Sequence, residues 1–406
     1  MKTQCCIVGG GPAGMMLGFL LARAGVKVVV LEKHGDFLRD FRGDTVHPST
    51  MNVMEELGLL DDFLKLPHHK ISRFAGQFSE TRFQIADFSR LPVRCRYIAM
   101  MPQWDFLDFL AAHGKRSPAF TLLMHAEAKE LIETDGRVVG VRAEANGMVQ
   151  EIRADLVVGA DGRHSTVRER IGIKVHDIGA PMDVMWFRVS HREGDPDEIM
   201  GRFDAGSILV MLDRGDYWQC AYVIPKGAAE KVRADGIEKV RSTIARLMPA
   251  FADRLGELAS MDDLKLLTVG VDRLDTWWKP GVLCIGDSAH TMSPIGGVGI
   301  NLAIQDAVAA SNLLAAPLRE GRLKDSDLAA VQRRRLFPAR ATQAMQVFLQ
   351  NRIIAPTLSG TVPGGGPVKA PLLVHLMQWL PILRRLPARV MGMGFRPEHV
   401  RTKPPT

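Results

Sequence analysis

The sequence predicts an α/β protein: a Rossmann-like nucleotide-binding domain, an inserted β-sheet domain and a helical C-terminal region. Three observations lead there. A short apolar strand, Gln4 to Val8, runs straight into GGGPAG, where Gly9, Gly11 and Gly14 keep the G-x-G-x-x-G spacing. Two later apolar strands, Leu156 to Gly159 and Val282 to Ile285, also end in turns, one carrying Asp161 and Gly162, the other Gly286 and Asp287. Between these units lie two stretches of alternating hydrophobicity, Arg73 to Phe88 and Val184 to Pro225, which read as antiparallel sheet.

Each part of the first unit has a mechanical reason. Gly9 permits a tight turn, Gly11 lets the backbone approach a pyrophosphate, and Gly14 allows helix and strand to pack closely, with Pro12 and Ala13 between them. The helix MMLGFLLARAG turns its N-terminus to the phosphates. The second strand, VKVVVLEK, ends on Glu32 and Lys33, and Glu32 is placed for a ribose hydroxyl. This unit reads the ADP half of a dinucleotide, so it leaves NAD and FAD both open.

The second unit, ADGRHSTVR, sets Asp161 before a helix expected from about His164, and a capped turn explains it as well as a binding role does. In the third unit, glycines at 296, 297 and 299 free backbone N–H groups at the start of a long helix from Ile300, a dipole aimed at an anion or an electron-rich ring.

Taken together, these units resemble the FAD-dependent aromatic hydroxylases of the para-hydroxybenzoate hydroxylase type, the single-component flavoprotein monooxygenases. That family's D-x-x-x-x-A-D-G-x-x-S-x-x-R motif is met by Asp155, Ala160, Asp161, Gly162, Ser165 and Arg168. Its G-D-[AS]-A-H-x-x-x-P-x-x-G-x-G-x-N motif is met by Gly286, Asp287, Ser288, Ala289, His290, Pro294, Gly297, Gly299 and Asn301. The resemblance covers about the first 350 residues. It implies one noncovalent FAD and NAD(P)H as a transient cosubstrate, with the second signature serving both. It also implies Arg42 beside the flavin phosphates, Gln103 as an FAD contact, Asp287 on the ribityl chain or ribose, and Gly299, Ile300 and Asn301 against the isoalloxazine. The implied reaction is hydroxylation by O2 through a C4a-hydroperoxyflavin kept dry by a lid.

On this reading a Rossmann-like FAD-binding domain takes residues 1–72, 97–180 and 265–345. A β-rich substrate domain takes 73–96 and 181–264, and a helical C-terminal region with a Pro/Gly-rich linker takes 346–406. The inserted sheet is expected to roof the flavin. Met185, Phe187, Leu209, Met211, Trp218 and Tyr222 alternate as its apolar face, which suits a pocket wall and suits plain core packing equally. His47 and His290 are candidates for proton handling, but no residue is assigned as catalytic base. With no arginine assignable to a substrate carboxylate, an apolar aromatic, quinone-like or polyketide-like substrate is favoured over a small benzoate. Same-fold alternatives are a halogenase, whose W-x-W-x-I-P motif WQCAYVIP meets only with the wrong spacing, and a reductase, whose Y-x-W-x-F-P motif is absent. A flavin-binding ligand sensor without turnover is the alternative from another class.

Composition bounds the rest. Of the 406 residues, 46% are hydrophobic and 24% charged, as in ordinary globular proteins. Five scattered cysteines suit neither a disulfide framework nor a metal site, and a cytoplasmic location is expected. The net charge is +7, and no acidic residue falls between Asp327 and Glu398, so this region is expected to attract anions without a motif for nucleic acid. No transmembrane helix is expected, because the run Leu372 to Leu383 is too short and interrupted. The C-terminal stretch PLLVHLMQWLPILRRLPARVMGMGF reads as an amphipathic helix that either packs back over the nucleotide-binding domain or rests peripherally in a membrane interface, arginines toward anionic headgroups. The oligomeric state is not legible.

Overall fold

The computed structural model describes residues 1–38, 44–145, 147–195, 199–360 and 370–405. Its larger sheet has a parallel core in the order Val282–Cys284, Met148–Gly159, Lys2–Val8, Val28–Leu31, Phe120–Leu123. Apolar residues dominate these strands because a parallel sheet is covered on both faces, and all four residues of Val28–Leu31 are buried. The register then positions the site. Val8 lies opposite both Gly159 and Leu31, and Gly159 lies opposite Cys284, so all three signature turns leave neighbouring strands at one level. That level is the carboxyl edge, where open α/β sheets bind ligands.

A second sheet has seven strands in the order Lys265–Leu267, Met182–Ser190, Tyr217–Pro225, Ser207–Asp213, Ile199–Asp204, Arg73–Phe78, Thr81–Asp87. The two alternating stretches, far apart in sequence, join where Ile199–Asp204 runs parallel to Arg73–Phe78. The face bearing Met185, Phe187, Leu209, Met211, Trp218 and Tyr222 is core packing and not an open wall. It packs on Val240, Ile244 and Leu247 of the helix Ile237–Leu247 and on Phe251 and Leu255 of the following 3-10 segment. Helices within a region read as β-rich claim that face. The opposite face carries Val184, Trp186, Val210 and Val223, which cluster with Ile295 of the third signature and with Ile353.

The helix Asp325–Leu349 continues through a π turn, Gln350–Ile354, into a last helical turn, Ala355–Leu358. The rest of the Pro/Gly-rich stretch, residues 361–369, lies outside the described residues. Beyond it the helices Leu372–Trp379 and Arg385–Met393 fold back onto the Thr81–Asp87 strand.

A buried charge cluster ties these parts together. Asp306, on the helix Gly299–Arg319, accepts the Gly286 N–H at 3.1 Å, lies 2.6 Å from His290 Nε2 and accepts from Arg335 Nε at 2.8 Å. Arg335 also reaches Glu398, which in turn pairs bidentately with Arg334 at 2.6 and 3.0 Å. Burial pushes the Asp306 carboxyl up, yet His290 and Arg335 outweigh it and hold the group below the usual range. Two arginines of the basic segment are therefore neutralised internally and do not serve an external anion. His290 is 1% exposed and belongs to this cluster, which removes it from proton handling at an open site.

Removing one partner of a fully buried pair strands the other charge. Arg335→Met is expected to cost about 3–5 kcal/mol, read as a lower urea midpoint at unchanged slope. A loss below about 1 kcal/mol would show that the pair contributes no more than a surface one.

Candidate functional site

The first turn rests directly on the second. Gly9 sits at φ +107°, and a Cβ there would lie 2.4 Å from the Ala160 carbonyl oxygen, so only glycine fits. A Cβ on Gly14 would fall 1.9 Å from Gly9 O, whereas the space above Gly11 is open. Glu32, 7% exposed at the strand end, accepts N–H bonds from Gly10 and His34, each at 3.0 Å. Those two bonds fix its orientation beside the glycine turn. Lys33 next to it is exposed.

Asp161 is engaged within its own turn. Its carboxylate accepts from Ser165 Oγ at 2.5 Å and from the Val167 N–H at 3.2 Å, at the start of the helix Thr166–Arg170. Burial pushes its pKa up, against these hydrogen bonds. Arg168 turns back onto Asp272 at 3.3 Å. Arg42 lies outside the described residues.

The third signature meets a segment that sequence reasoning scarcely marked, residues 44–50. Gly297 has φ +62°, and a Cβ on it would lie 2.9 Å from Thr45 Oγ1, which donates to Gly297 O at 3.1 Å. Asn301 Oδ1 accepts from Thr50 Oγ1 at 2.7 Å and from the His47 N–H at 3.3 Å. The loop Pro294–Gly299 is thereby clamped at both ends, while Pro294, Gly296, Gly297, Gly299 and Ile300 keep partly open surfaces, as Asp287 does. Gly299 begins the 21-residue helix, whose first-turn N–H groups have no helical acceptor and whose dipole favours negative charge there.

Asp44 forms the edge toward the inserted sheet. Arg214 grips both its carboxylate and its carbonyl oxygen, the latter at 3.0 Å, and reaches Gln219 Oε1 at 2.8 Å. Burial lifts the Asp44 carboxyl pKa, opposed by Arg214 and by the backbone N–H of Gln103. Gln103 thus enters the site through its backbone, as the first residue of the helix Gln103–Gly114. No local sequence signal announces a contact between Asp44 and Arg214, because 170 residues separate them.

His47 is fully buried with Nδ1 2.8 Å from the Met391 carbonyl oxygen. A carbonyl only accepts, so the neutral ring carries its proton on Nδ1, and its Nε2 lies on the Gly297 side. Burial lowers its pKa from 6.5 to about 4.

A family model described as FAD binding domain matches residues 2–345. The chain is 34% identical over 389 residues to 6-methylpretetramide 4-monooxygenase of Streptomyces rimosus, covering 95% of this chain and 92% of that protein. It is 29% identical over 316 residues to rifampicin monooxygenase of Streptomyces venezuelae, covering 74% of this chain and only 61% of that longer protein. Among solved structures it is similar to PqsL, a probable FAD-dependent monooxygenase from Pseudomonas aeruginosa. The TM-score is 0.76 at 23% identity, over 89% of this chain and 98% of that one. OxyS anhydrotetracycline hydroxylase from Streptomyces rimosus gives a TM-score of 0.73 at 23% identity, over 97% and 76% of the two chains. At these identities the structures establish the shared fold.

The residues present suit FAD as the cofactor. The open surface above Gly11 at a helix N-terminus suits a pyrophosphate, Glu32 stands at the strand end where a ribose would lie, and the partly open Gly299 and Ile300 at the start of the long helix suit an electron-rich ring.

The depressed His47 pKa has a definite sign for stability. Below about pH 6.5 the unfolded histidine takes up a proton that the folded one refuses until about pH 4, so stability falls with pH across that window. Between pH 7 and pH 5 His47 accounts for a loss of about 2 kcal/mol. Urea titrations of His47→Asn should show a pH 7 to pH 5 drop smaller by about that amount. Equal drops in both proteins would contradict a neutral, buried His47.

Proposed function

Because this chain belongs to the FAD-dependent aromatic hydroxylase family of flavoprotein monooxygenases, we propose that it hydroxylates an apolar, polycyclic aromatic substrate of polyketide type, drawing reducing equivalents from NAD(P)H. Bound FAD supplies the redox and oxygen-activating chemistry. The balance is one substrate C–H, O2, NAD(P)H and a proton giving C–OH, water and NAD(P)+.

The observation that carries the reading is the alignment of Val8, Gly159 and Cys284. It sets three signature turns side by side, and the apolar sheet face that clusters with Ile295 supports a roof over them. In this reading Gly11 and Glu32 hold the ADP half, with Lys33, Arg42 and Asp161 at its margin. Asp287, Gln103 and the Pro294–Asn301 loop hold the flavin half. Asp44 and Arg214 would join the flavin loops to the inserted sheet, whose face bearing Val184, Trp186, Val210 and Val223 clusters with Ile295 and would close the site from that side. No side chain is assigned as a base. A substrate with an already acidic phenol needs none, and the relative named for 6-methylpretetramide supports a large fused-ring substrate.

We propose too that any meeting with a membrane is peripheral. The described helix long and apolar enough to cross one, Ile295–Arg319, is 78% buried in the core.

The test is to supply FAD-loaded protein with NADPH, isotopically labelled dioxygen and a hydroxylated tetracyclic aromatic. One labelled oxygen atom should appear in the product, with NADPH consumption rising at least about tenfold on substrate addition. A ligand that shifts the flavin spectrum but gains no oxygen would identify a sensor instead.

A further inference from the structure

The C-terminal lobe is apolar on two sides. Along Leu372–Trp379, Val374 and Met377 are buried, His375 meets Phe83 edge-on at 4.9 Å between ring centroids, and Gln378 donates to Gln84 O at 3.1 Å. That side is satisfied by the Thr81–Asp87 strand. The other side carries Leu372, Leu376, Trp379 and Leu380 at helical spacing, continued by Ile382 and Leu386, and all six are exposed. Leu372 and Trp379 are 84% and 85% exposed, which single scattered surface apolars do not explain.

Charge accompanies this stripe on the same elements. Arg385 and Arg389 are exposed on the Arg385–Met393 helix, whereas Arg384 folds inward onto the Met377 carbonyl at 3.0 Å and onto Gln378. No acidic residue occurs between Asp327 and Glu398, and Glu398 is occupied by Arg334 and Arg335. Of the acids on the packed strand and its turn, Asp87 caps the following 3-10 turn and pairs with Arg90, and the exposed Glu80 lies 3.6 Å from Arg202. Bulky aliphatics, a tryptophan and flanking arginines without counter-charge fit the boundary between acyl chains and anionic headgroups better than a protein surface.

We propose that this face, Leu372 to Leu386 with Arg385 and Arg389, docks the protein on an anionic lipid surface. The lobe lies between that surface and the flavin loop. On its inner side Met391 receives the His47 hydrogen bond, and its Cε lies 3.7 Å from the Cβ position of Gly296. A lipid-borne substrate would therefore enter beside the reacting ring. Docking itself is independent of the catalytic reading, so either can fail alone.

The test is co-sedimentation of the full-length, FAD-loaded protein with vesicles of phosphatidylcholine alone or with added phosphatidylglycerol, at low and high salt. Binding should favour the phosphatidylglycerol vesicles at least about fivefold and weaken with salt. Trp379→Ser with Leu386→Ser should abolish it, and Arg385→Gln with Arg389→Gln should remove the lipid preference. An unchanged flavin spectrum in each variant certifies the fold. Absence of binding, equal binding to both vesicles, or variants that bind like the parent would overturn the proposal. So would a concentration-dependent dimer dissolved by the Trp379 and Leu386 changes, which would assign the face to a second copy of the chain.

Discussion

A single buried carboxylate, Asp306, fixes where the third signature turn can be. It accepts the Gly286 N–H, faces His290 and binds Arg335, and through Arg335 it reaches Glu398 near the chain's end. An ion pair this deep adds little net stability, because desolvating both charges offsets much of their attraction. What it does supply is uniqueness. The anion can be satisfied in one arrangement only, with the Gly286 turn, the Gly299–Arg319 helix, the Asp325–Leu349 helix and the C-terminal segment all in place.

From that fixed turn the rest of the site follows in order. Parallel register puts Gly159 and Val8 alongside, and Gly9 can approach Ala160 only because it lacks a Cβ. Asn301 and Thr45 then clamp residues 45–50 to the loop ahead of the long helix. His47 extends the chain of contacts to Met391, whose side chain also lies beside Gly296, so the C-terminal lobe reaches the Pro294–Gly299 loop. The roofing sheet is held by Arg214 on Asp44.

What could be read from sequence follows the same division. Strand ends bearing glycine turns leave local marks, since the need for close approach and free N–H groups restricts residue type at fixed spacing. Both alternating stretches were legible as sheet because successive side chains of a strand point to opposite faces and leave a period of two. The facing of that sheet was not, because Met185, Phe187 and Leu209 on one side are no more apolar than Val184, Trp186 and Val210 on the other. Only the helix Ile237–Leu247, packed against the first set, decides which set is left to cluster with Ile295 of the third signature. Pairs such as Asp44 with Arg214, or Asp306 with Arg335 and Glu398, carry no periodic signature at all. They turned a segment that looked uniformly basic into one whose inner arginines are already neutralised.

The measurement that bears most directly on this account is an equilibrium titration of flavin-stripped protein with FAD, followed by visible absorbance and by recovery of the flavin after acid precipitation. The account predicts saturation at about one FAD per chain, all of it released unmodified into the acid supernatant, since the proposed site offers it only noncovalent contacts from backbone N–H groups, Glu32 and helix termini. Protein that saturates with no FAD, or flavin that stays with the precipitate, would contradict it.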